Sequence, residues 1–147
     1  MMSFWKNNPA AYFGFLGRNL KQRYEEYLAP YGLTGSLYFY LLYIDQHVDS
    51  SLADVSHKLM VDKAYVSRVI SQLEKQGYIS RQRNPKDSRA YLLSSTESGK
   101  KILMQMEELF LHWNEDLKSG LSEDEYDTMV RLLAKAYNIK SGRATVV

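Results

Sequence analysis

The sequence predicts a mainly α-helical chain with a small β-hairpin. Apolar residues recur at spacings of three and four along most of the 147 residues, a pattern typical of helices that bury one face. The spacing changes to alternation only in two short runs, 78–83 and 89–94, which flank the turn-forming pair Asn84-Pro85. A chain of this length suits one compact domain, so we predict a single domain over 1–147.

The first two helices are predicted over 9–30 and 35–47. The first carries a broad apolar stripe, has Pro9 in its first turn and ends at Pro30-Tyr31-Gly32. Thr34 is placed to cap the second helix. Because this second helix is apolar on most sides, we expect it to be buried. Asp49-Ser50 is expected to end it.

Two short helices joined by a three-residue turn come next. Ser51-Leu52-Ala53-Asp54 has the capping-box pattern and predicts a helix over 52–59. After the turn Met60-Val61-Asp62, the aspartate can cap a helix over 63–76, and Gly77 lies where a C-terminal cap belongs. This pair is a helix-turn-helix unit, and the hairpin that follows it makes a winged helix-turn-helix.

The C-terminal third predicts two further helices. A long helix begins at Thr96 and runs to about Lys118, and a second capping box, Ser122-Glu123-Asp124-Glu125, opens a helix over about 123–138. The first and last helices carry long apolar stripes that lie far along the chain from the compact middle. Such stripes are typical of an interface; the alternative is that they pack within their own chain.

Composition narrows the functional classes. The chain has no cysteine, which excludes disulfides and cysteine-ligated metal sites. Its longest apolar run, 37–44, is too short to span a bilayer, and its N-terminus lacks the pattern of a signal peptide, so we expect a cytoplasmic protein. The net charge is only +2, but residues 57–101 hold 10 Lys and Arg against 4 Asp and Glu. A basic middle between acidic flanks indicates a local patch for a polyanion.

The polar face of helix 63–76 has the composition of a DNA-reading surface. The second helix of such a unit enters the major groove with its N-terminal end. Arg68 can donate two hydrogen bonds to a guanine, and Ser67 can bond to a base or a phosphate. The alternative is the solvated face of an ordinary amphipathic helix. The predicted contacts on this helix are Lys63, Ala64, Tyr65, Ser67, Arg68, Ser71 and Lys75.

The hairpin tip, NPKDSRAY, places three charged residues where a simple turn needs none. Lys86 can approach the phosphate backbone, and Arg89 can reach a narrow minor groove, where negative potential is concentrated. Asp87 and Arg89 point to the same side of an extended strand, so the carboxylate could brace the guanidinium. Arg81 and Arg83 on the preceding strand are also predicted to contact DNA. The alternative is a solvated turn with unrelated charges.

The stretch DKAYVSRVISQLEKQGYISRQRNPKDSRAYLLSSTESGK, residues 62–100, resembles the MarR family of bacterial transcriptional regulators. The resemblance lies in a glycine-terminated recognition helix, the Asp-x-Arg wing at Asp87 and Arg89, and the Thr-x-x-Gly start of the long helix at Thr96. Helix order extends it over roughly residues 5–140. Ser95 stands where the family usually has leucine.

The resemblance implies an obligate homodimer that binds a pseudo-palindromic operator on double-stranded DNA. Two recognition helices would then lie about 34 Å apart. Relatives are mostly repressors, which favours repression. The implied organisation is an N-terminal dimerisation helix over 5–33, a winged helix-turn-helix over 34–100 with recognition helix 63–76 and wing 78–94, and C-terminal dimerisation helices over 101–140.

The family often binds small aromatic or anionic molecules between its dimer helices and the winged helix, so a small phenolic or carboxylate effector is expected here. The candidate ligand-binding residues are Tyr12, Phe13, Arg18, Tyr38 and Phe39. The alternative is that these aromatic residues belong to the core.

Catalysis and metal binding find little support in the sequence, so we expect no enzyme activity and no cofactor. His112 lies near Glu108 and Glu115 on one helix, but no second histidine or cysteine stands in register with it, which favours a solvated face. The competing function is a winged-helix module for protein contacts with no DNA role. Such a module would not need a basic wing tip.

Overall fold

The order of elements confirms the predicted fold class. The structure is a computed structural model that describes residues 6–141. In that range six helices accompany one three-stranded antiparallel sheet. The elements are α1 (Pro9–Leu28), a 3-10 turn (Ala29–Tyr31), α2 (Gly35–Gln46), β1 (Ser50–Ser51), α3 (Leu52–Leu59), α4 (Lys63–Lys75), β2 (Ile79–Asn84), β3 (Asp87–Ser95), α5 (Glu97–Lys118) and α6 (Glu123–Ser141).

The capping residues predicted from local patterns make the expected hydrogen bonds. Ser51 Oγ accepts from the N–H of Asp54 at 3.1 Å, and the Asp54 carboxylate accepts from the N–H of Ser51 at 2.8 Å. Ser122 and Glu125 repeat this reciprocal arrangement at the start of α6, with distances of 3.3 and 2.8 Å. These bonds satisfy N–H groups that have no partner inside the helix.

The sheet contains one strand more than expected. Strand order is β1-β3-β2, and the two-residue strand β1 pairs with β3 through Ser50 opposite Leu93 and Ser51 opposite Leu92. Our prediction had only a break at Asp49-Ser50. A strand this short has no local pattern of its own; it exists because β3 supplies its partner. The hairpin turn is also tighter than predicted, since Asn84 pairs directly with Asp87.

The chain divides into two compact units between Glu108 and Leu109. The first has its core around α2 and the inner face of α4. Helix α2 is buried as predicted, and so is the predicted inner face of α4. The fully buried side chains of the core are Leu28, Leu41, Ile44, Val55, Val66, Ile70, Leu73, Leu93 and Met106.

The start of α5 is locked to the end of α4. The hydroxyl of Thr96 donates to the carbonyl of Gly77 at 2.6 Å and accepts from the N–H of Gly99 at 3.1 Å. A Cβ atom at Gly99 would lie 2.2 Å from the carbonyl oxygen of Tyr78, closer than real contacts allow. The Thr-x-x-Gly pattern is therefore explained by a hydroxyl cap and by a backbone approach that only glycine permits.

Two further hydrogen bonds hold the turn between α1 and α2 against the C-terminal end of α4. Gln76 Nε2 donates to the carbonyl of Gly32 at 2.6 Å, and the hydroxyl of Tyr78 donates to the carbonyl of Tyr31 at 2.8 Å. Gly32 adopts a φ of 67°, a left-handed conformation that suits glycine. A displacement of this turn would therefore be transmitted to α4.

The second unit comprises the end of α5 and helix α6. The ammonium of Lys118 lies 4.8 Å from the centroid of the Tyr126 ring and joins the end of α5 to the start of α6. Its exposed large apolar side chains include Leu111, Val130, Leu132 and Leu133. Within residues 6–141 no helix combines the length and apolar character that a bilayer span needs.

Candidate nucleic-acid interface

Helix α4 is held at its N-terminal end by its cap and by the preceding turn. Asp62 Oδ1 accepts from the N–H of Tyr65 at 3.0 Å, as the cap prediction required. Ser56 Oγ donates to the carbonyl of Val61 at 2.7 Å, and Met60 takes a left-handed φ of 52°. These contacts fix the angle between α3 and α4, so the outer face of α4 has a defined position.

The outer face of α4 carries the predicted DNA contacts. Ser67 is half-buried, and the other six are exposed: Lys63, Ala64, Tyr65, Arg68, Ser71 and Lys75. The guanidinium of Arg68 lies 5.9 Å from the centroid of the Tyr65 ring, within the range of a cation–π contact. Seven candidate side chains thus share one helix face opposite the buried core.

At the wing tip, Asp87 makes a different contact from the one predicted. Its Oδ1 accepts a hydrogen bond from the backbone N–H of Arg89 at 3.0 Å. In the described part of the chain no ion pair joins the Asp87 carboxylate to the Arg89 guanidinium, so the predicted brace between the two side chains is wrong. The carboxylate orders the backbone that carries Arg89 and leaves its guanidinium exposed. Lys86 is exposed beside it, and its N–H donates to Asn84 Oδ1 at 2.9 Å.

Arg81 connects the wing to α4. Its Nε lies 2.8 Å from Glu74 Oε2, and its Nη2 donates to Ser71 Oγ at 2.9 Å. The Arg81 side chain is 23% exposed, much less than a free surface arginine. Arg81 and Ser71 were both predicted to contact DNA, and in the free chain they bond to each other. Arg83 is exposed on the same strand.

Cations from both elements converge on one cleft. Lys63 from α4, Arg81 from β2 and Arg89 from β3 line a cavity of about 260 Å³. Its other walls are the start of α3 and the middle of β3. Three of the predicted DNA-binding cations therefore line one cleft at the junction of α4 and the wing.

Sequence reasoning missed Glu74, the partner of Arg81. Glu74 lies in the last turn of α4 and Arg81 in the strand that follows the glycine turn. The available signal was the spacing of the two residues: the carboxylate precedes the arginine by seven residues, and the glycine turn between helix and strand lies between them. The tight turn at Gly77, with a φ of 81°, brings the two together.

The five candidate ligand residues do not share one environment. Tyr38 is buried with 5% of its surface exposed, whereas Tyr12, Phe13 and Phe39 are each more than half exposed. Burial, and secondarily the charge of Glu107, raises the pKa of the Tyr38 hydroxyl. Tyr38 is therefore a core residue, whereas the other three aromatic side chains lie exposed on the surface of this chain. Arg18 is exposed on α1. Across the same residues no group of three His, Asp or Glu side chains could hold a metal ion.

A family model described as "MarR family" matches residues 33–91. The chain is 42% identical over 126 residues to "HTH-type transcriptional regulator BilQ" from Clostridioides difficile (strain CD3), which spans 86% of this chain and 85% of that relative.

Solved structures give the same result. The structure of Streptococcus pneumoniae FabT in complex with DNA is 25% identical, covers 90% of this chain and 95% of that chain, and has a TM-score of 0.78. Apo wild-type MarR from E. coli, also 25% identical, covers 86% of this chain and 94% of that chain with a TM-score of 0.70. The chain belongs to the MarR family of winged helix-turn-helix transcriptional regulators.

Proposed function

We propose that this chain is a sequence-specific DNA-binding regulator that acts as a homodimer on a pseudo-palindromic operator. The observation that carries the proposal is the convergence of Lys63 and Arg89 on one cleft between α4 and the wing, which Arg81 also lines. Cations at that junction would meet the phosphates that flank a major groove entered by α4. The similarity to a protein solved in complex with DNA supports the same reading.

Each part of the surface has its own proposed task. Arg68, Ser67 and Ala64 read base edges, while Lys63 and Lys75 hold phosphates. At the wing, Lys86 contacts the backbone and Arg89 enters the minor groove. Asp87 shapes the turn. The proposed contribution of Arg81 and Ser71 is indirect, because each already bonds to the other.

The homodimer is supported by apolar surface on the terminal helices. Tyr12, Phe13 and Phe15 are more than half exposed on α1. Helix α6 exposes Val130, Leu132 and Leu133 in the second unit. Surface of this kind on both segments is typical of an interface with a second copy. Homodimers are also typical of the family. The proposed dimerisation segments are 5–33 and 101–140.

Repression is the proposed direction of control, with a small phenolic or carboxylate effector that changes the spacing of the two recognition helices. The hydrogen bonds from Gln76 and Tyr78 to the α1–α2 turn support such control. An effector that moved α1 would displace this turn and, through it, the end of α4. We propose no catalytic reaction, and the relatives that match are transcriptional regulators.

A binding titration tests the proposal. Fluorescence anisotropy on DNA from upstream of the chain's own gene, over a series of salt concentrations, should give specific binding that weakens steeply as salt rises. Arg68→Ala and Arg89→Ala should each weaken binding by roughly tenfold or more. Lys100→Ala, which removes the same charge from the start of α5 outside the proposed DNA contacts and dimerisation segments, should change it little. Equal affinity for unrelated sequences at moderate salt would leave the protein-contact module as the better reading.

A further inference from the structure

The ring of Tyr65 is fixed from two sides at the start of α4. Its centroid lies 6.2 Å from that of Tyr40, a buried residue of α2, with the rings tilted by 57°. Its hydroxyl lies 3.4 Å from Ser36 Oγ in the first turn of α2. Its own backbone N–H is held by Asp62. Although 38% exposed, the side chain is thus tied to the core.

Arg68 lies one turn after Tyr65, where side chains three residues apart on a helix are neighbours. Its guanidinium carbon is 5.9 Å from the Tyr65 centroid. Among residues 6–141 no carboxylate pairs with this guanidinium, so the ring is the group that orients it. A cation is attracted to the negative face of an aromatic ring, and this attraction favours a small set of Arg68 rotamers.

We infer that Tyr65 is a positioning residue that sets base specificity through Arg68. Two hydrogen bonds to one guanine require the planar guanidinium to approach in a single orientation. An arginine already held near that orientation loses less conformational freedom on binding than a mobile one. Tyr65 packs on Tyr40 in the core and contacts Arg68 on the surface. The packing of Tyr65 therefore sets the orientation in which Arg68 meets the base. This inference rests on the proposed function.

The test uses a consensus duplex obtained by selecting from a random DNA pool with the wild-type protein. Affinity is then measured for that duplex and for a set in which each guanine pair is replaced in turn. One replacement should weaken binding by the wild type but leave the affinity of Arg68→Ala unchanged. That replacement identifies the base pair that Arg68 reads. Circular dichroism and thermal unfolding establish that each variant is folded.

Three substitutions at position 65 separate the ring from its bulk and from its hydroxyl. Tyr65→Phe keeps the ring and should stay within about twofold of the wild type. Tyr65→Leu keeps apolar packing against Tyr40 but has no aromatic face. Tyr65→Leu and Tyr65→Ala should both lose roughly tenfold of discrimination at the base pair that Arg68 reads, and at no other. The double variant Tyr65→Ala/Arg68→Ala should bind no more weakly than Arg68→Ala alone.

Several outcomes would overturn the inference. The position-65 variants could lose affinity equally on every duplex, or lose discrimination at a different base pair. Tyr65→Leu could discriminate between duplexes like the wild type. The double variant could also lose affinity by the product of the two single losses. If the wild-type protein selects no sequence, the proposed function fails and this inference fails with it. If it does select one and Tyr65→Ala keeps the same preference, only the role of Tyr65 is refuted.

Discussion

The carboxylate of Asp87 accepts a hydrogen bond from the backbone N–H of Arg89, at 3.0 Å, and forms no ion pair with its guanidinium within the part of the chain that the structure describes. An acidic residue at a DNA-binding wing therefore has a conformational task. It closes a turn in which the next arginine projects free, and the repulsion between its charge and phosphates is the cost of that turn.

The hydrogen bond between the Asp87 carboxylate and the Arg89 N–H predicts different effects on operator binding for two substitutions of Asp87. Asp87→Asn keeps an oxygen that accepts from the Arg89 N–H and removes a negative charge, so operator binding should be equal or tighter. Asp87→Ala loses the acceptor and should bind several-fold more weakly, because the backbone that carries Arg89 is no longer ordered. Anisotropy titrations on one duplex measure both. If Asp87→Asn were as weak as Asp87→Ala, the charge itself would be required and the backbone account would be wrong.

The contacts of Arg81 predict a stability effect at the junction of wing and α4. Arg81→Ala should lower the free energy of unfolding, and a double-mutant cycle with Glu74→Ala should give a coupling of about 0.5–1 kcal/mol, because the pair is partly exposed. Arg81→Lys should keep only part of the stability that Arg81→Ala loses, since a lysine cannot bond to Glu74 and Ser71 in the same planar geometry. Urea unfolding at one fixed protein concentration is the measurement.

Arg83→Ala is the matched control for that cycle, since Arg83 is an exposed arginine on the same strand. It should leave the free energy of unfolding within about 0.5 kcal/mol of the wild type. A coupling of zero between Arg81 and Glu74, or an equal loss of stability in Arg83→Ala, would contradict a wing held by this contact.

The close approach at Gly99 predicts a large effect from one methyl group. Gly99→Ala places a Cβ against the Tyr78 carbonyl and near Leu41, and should lower the free energy of unfolding by about 1–3 kcal/mol. Gly120→Ala is the matched control, because a Cβ there meets nothing within 4 Å. Thermal unfolding of the two variants decides the matter. A Gly99→Ala protein as stable as the wild type would mean that the α4–α5 junction adjusts freely.

The capping box of α3 predicts a pH dependence. Hydrogen bonds from the Ser51 hydroxyl, then from its backbone N–H, lower the pKa of Asp54. Because the Asp54 pKa is lower in the folded chain than in the unfolded chain, the ionised carboxylate stabilises the fold at pH values above the ordinary aspartate pKa. This contribution is lost as the pH falls through the pKa of Asp54 in the folded chain. Asp54→Ala should therefore cost roughly 0.5–1 kcal/mol at neutral pH and progressively less at acidic pH. Ser51→Ala should raise the Asp54 pKa in an NMR titration; an unchanged pKa would refute the capping assignment.

Local features of the sequence were enough to predict the helices and their caps. The capping hydrogen bonds join residues that are three apart in the sequence, and all three predicted caps form: Ser51 with Asp54, Ser122 with Glu125, and Asp62 with Tyr65. The buried face of α4 followed from its helical spacing alone. The order of these elements led to the family, which the comparisons confirm.

What the sequence did not predict depends on residues brought together by folding. The Ser95 hydroxyl donates to Asp45 at the end of α2, so a polar contact anchors the return strand where the family usually has leucine. The pairing of β1 with β3, the contact of Arg81 with Glu74, and the packing of Tyr65 on Tyr40 likewise join separate elements. No local pattern encodes such pairs.

Selection of bound sequences from a random DNA pool tests the central claim most directly. A homodimeric winged helix-turn-helix regulator should enrich a two-fold symmetric sequence whose half-site centres lie about one helical turn apart. Footprinting on that sequence should protect both half-sites, and Arg68→Ala should lose the preference at the base pair that Arg68 reads in each half-site. A pool that stays random after repeated rounds, at a salt concentration where the protein still binds DNA, would contradict sequence-specific regulation.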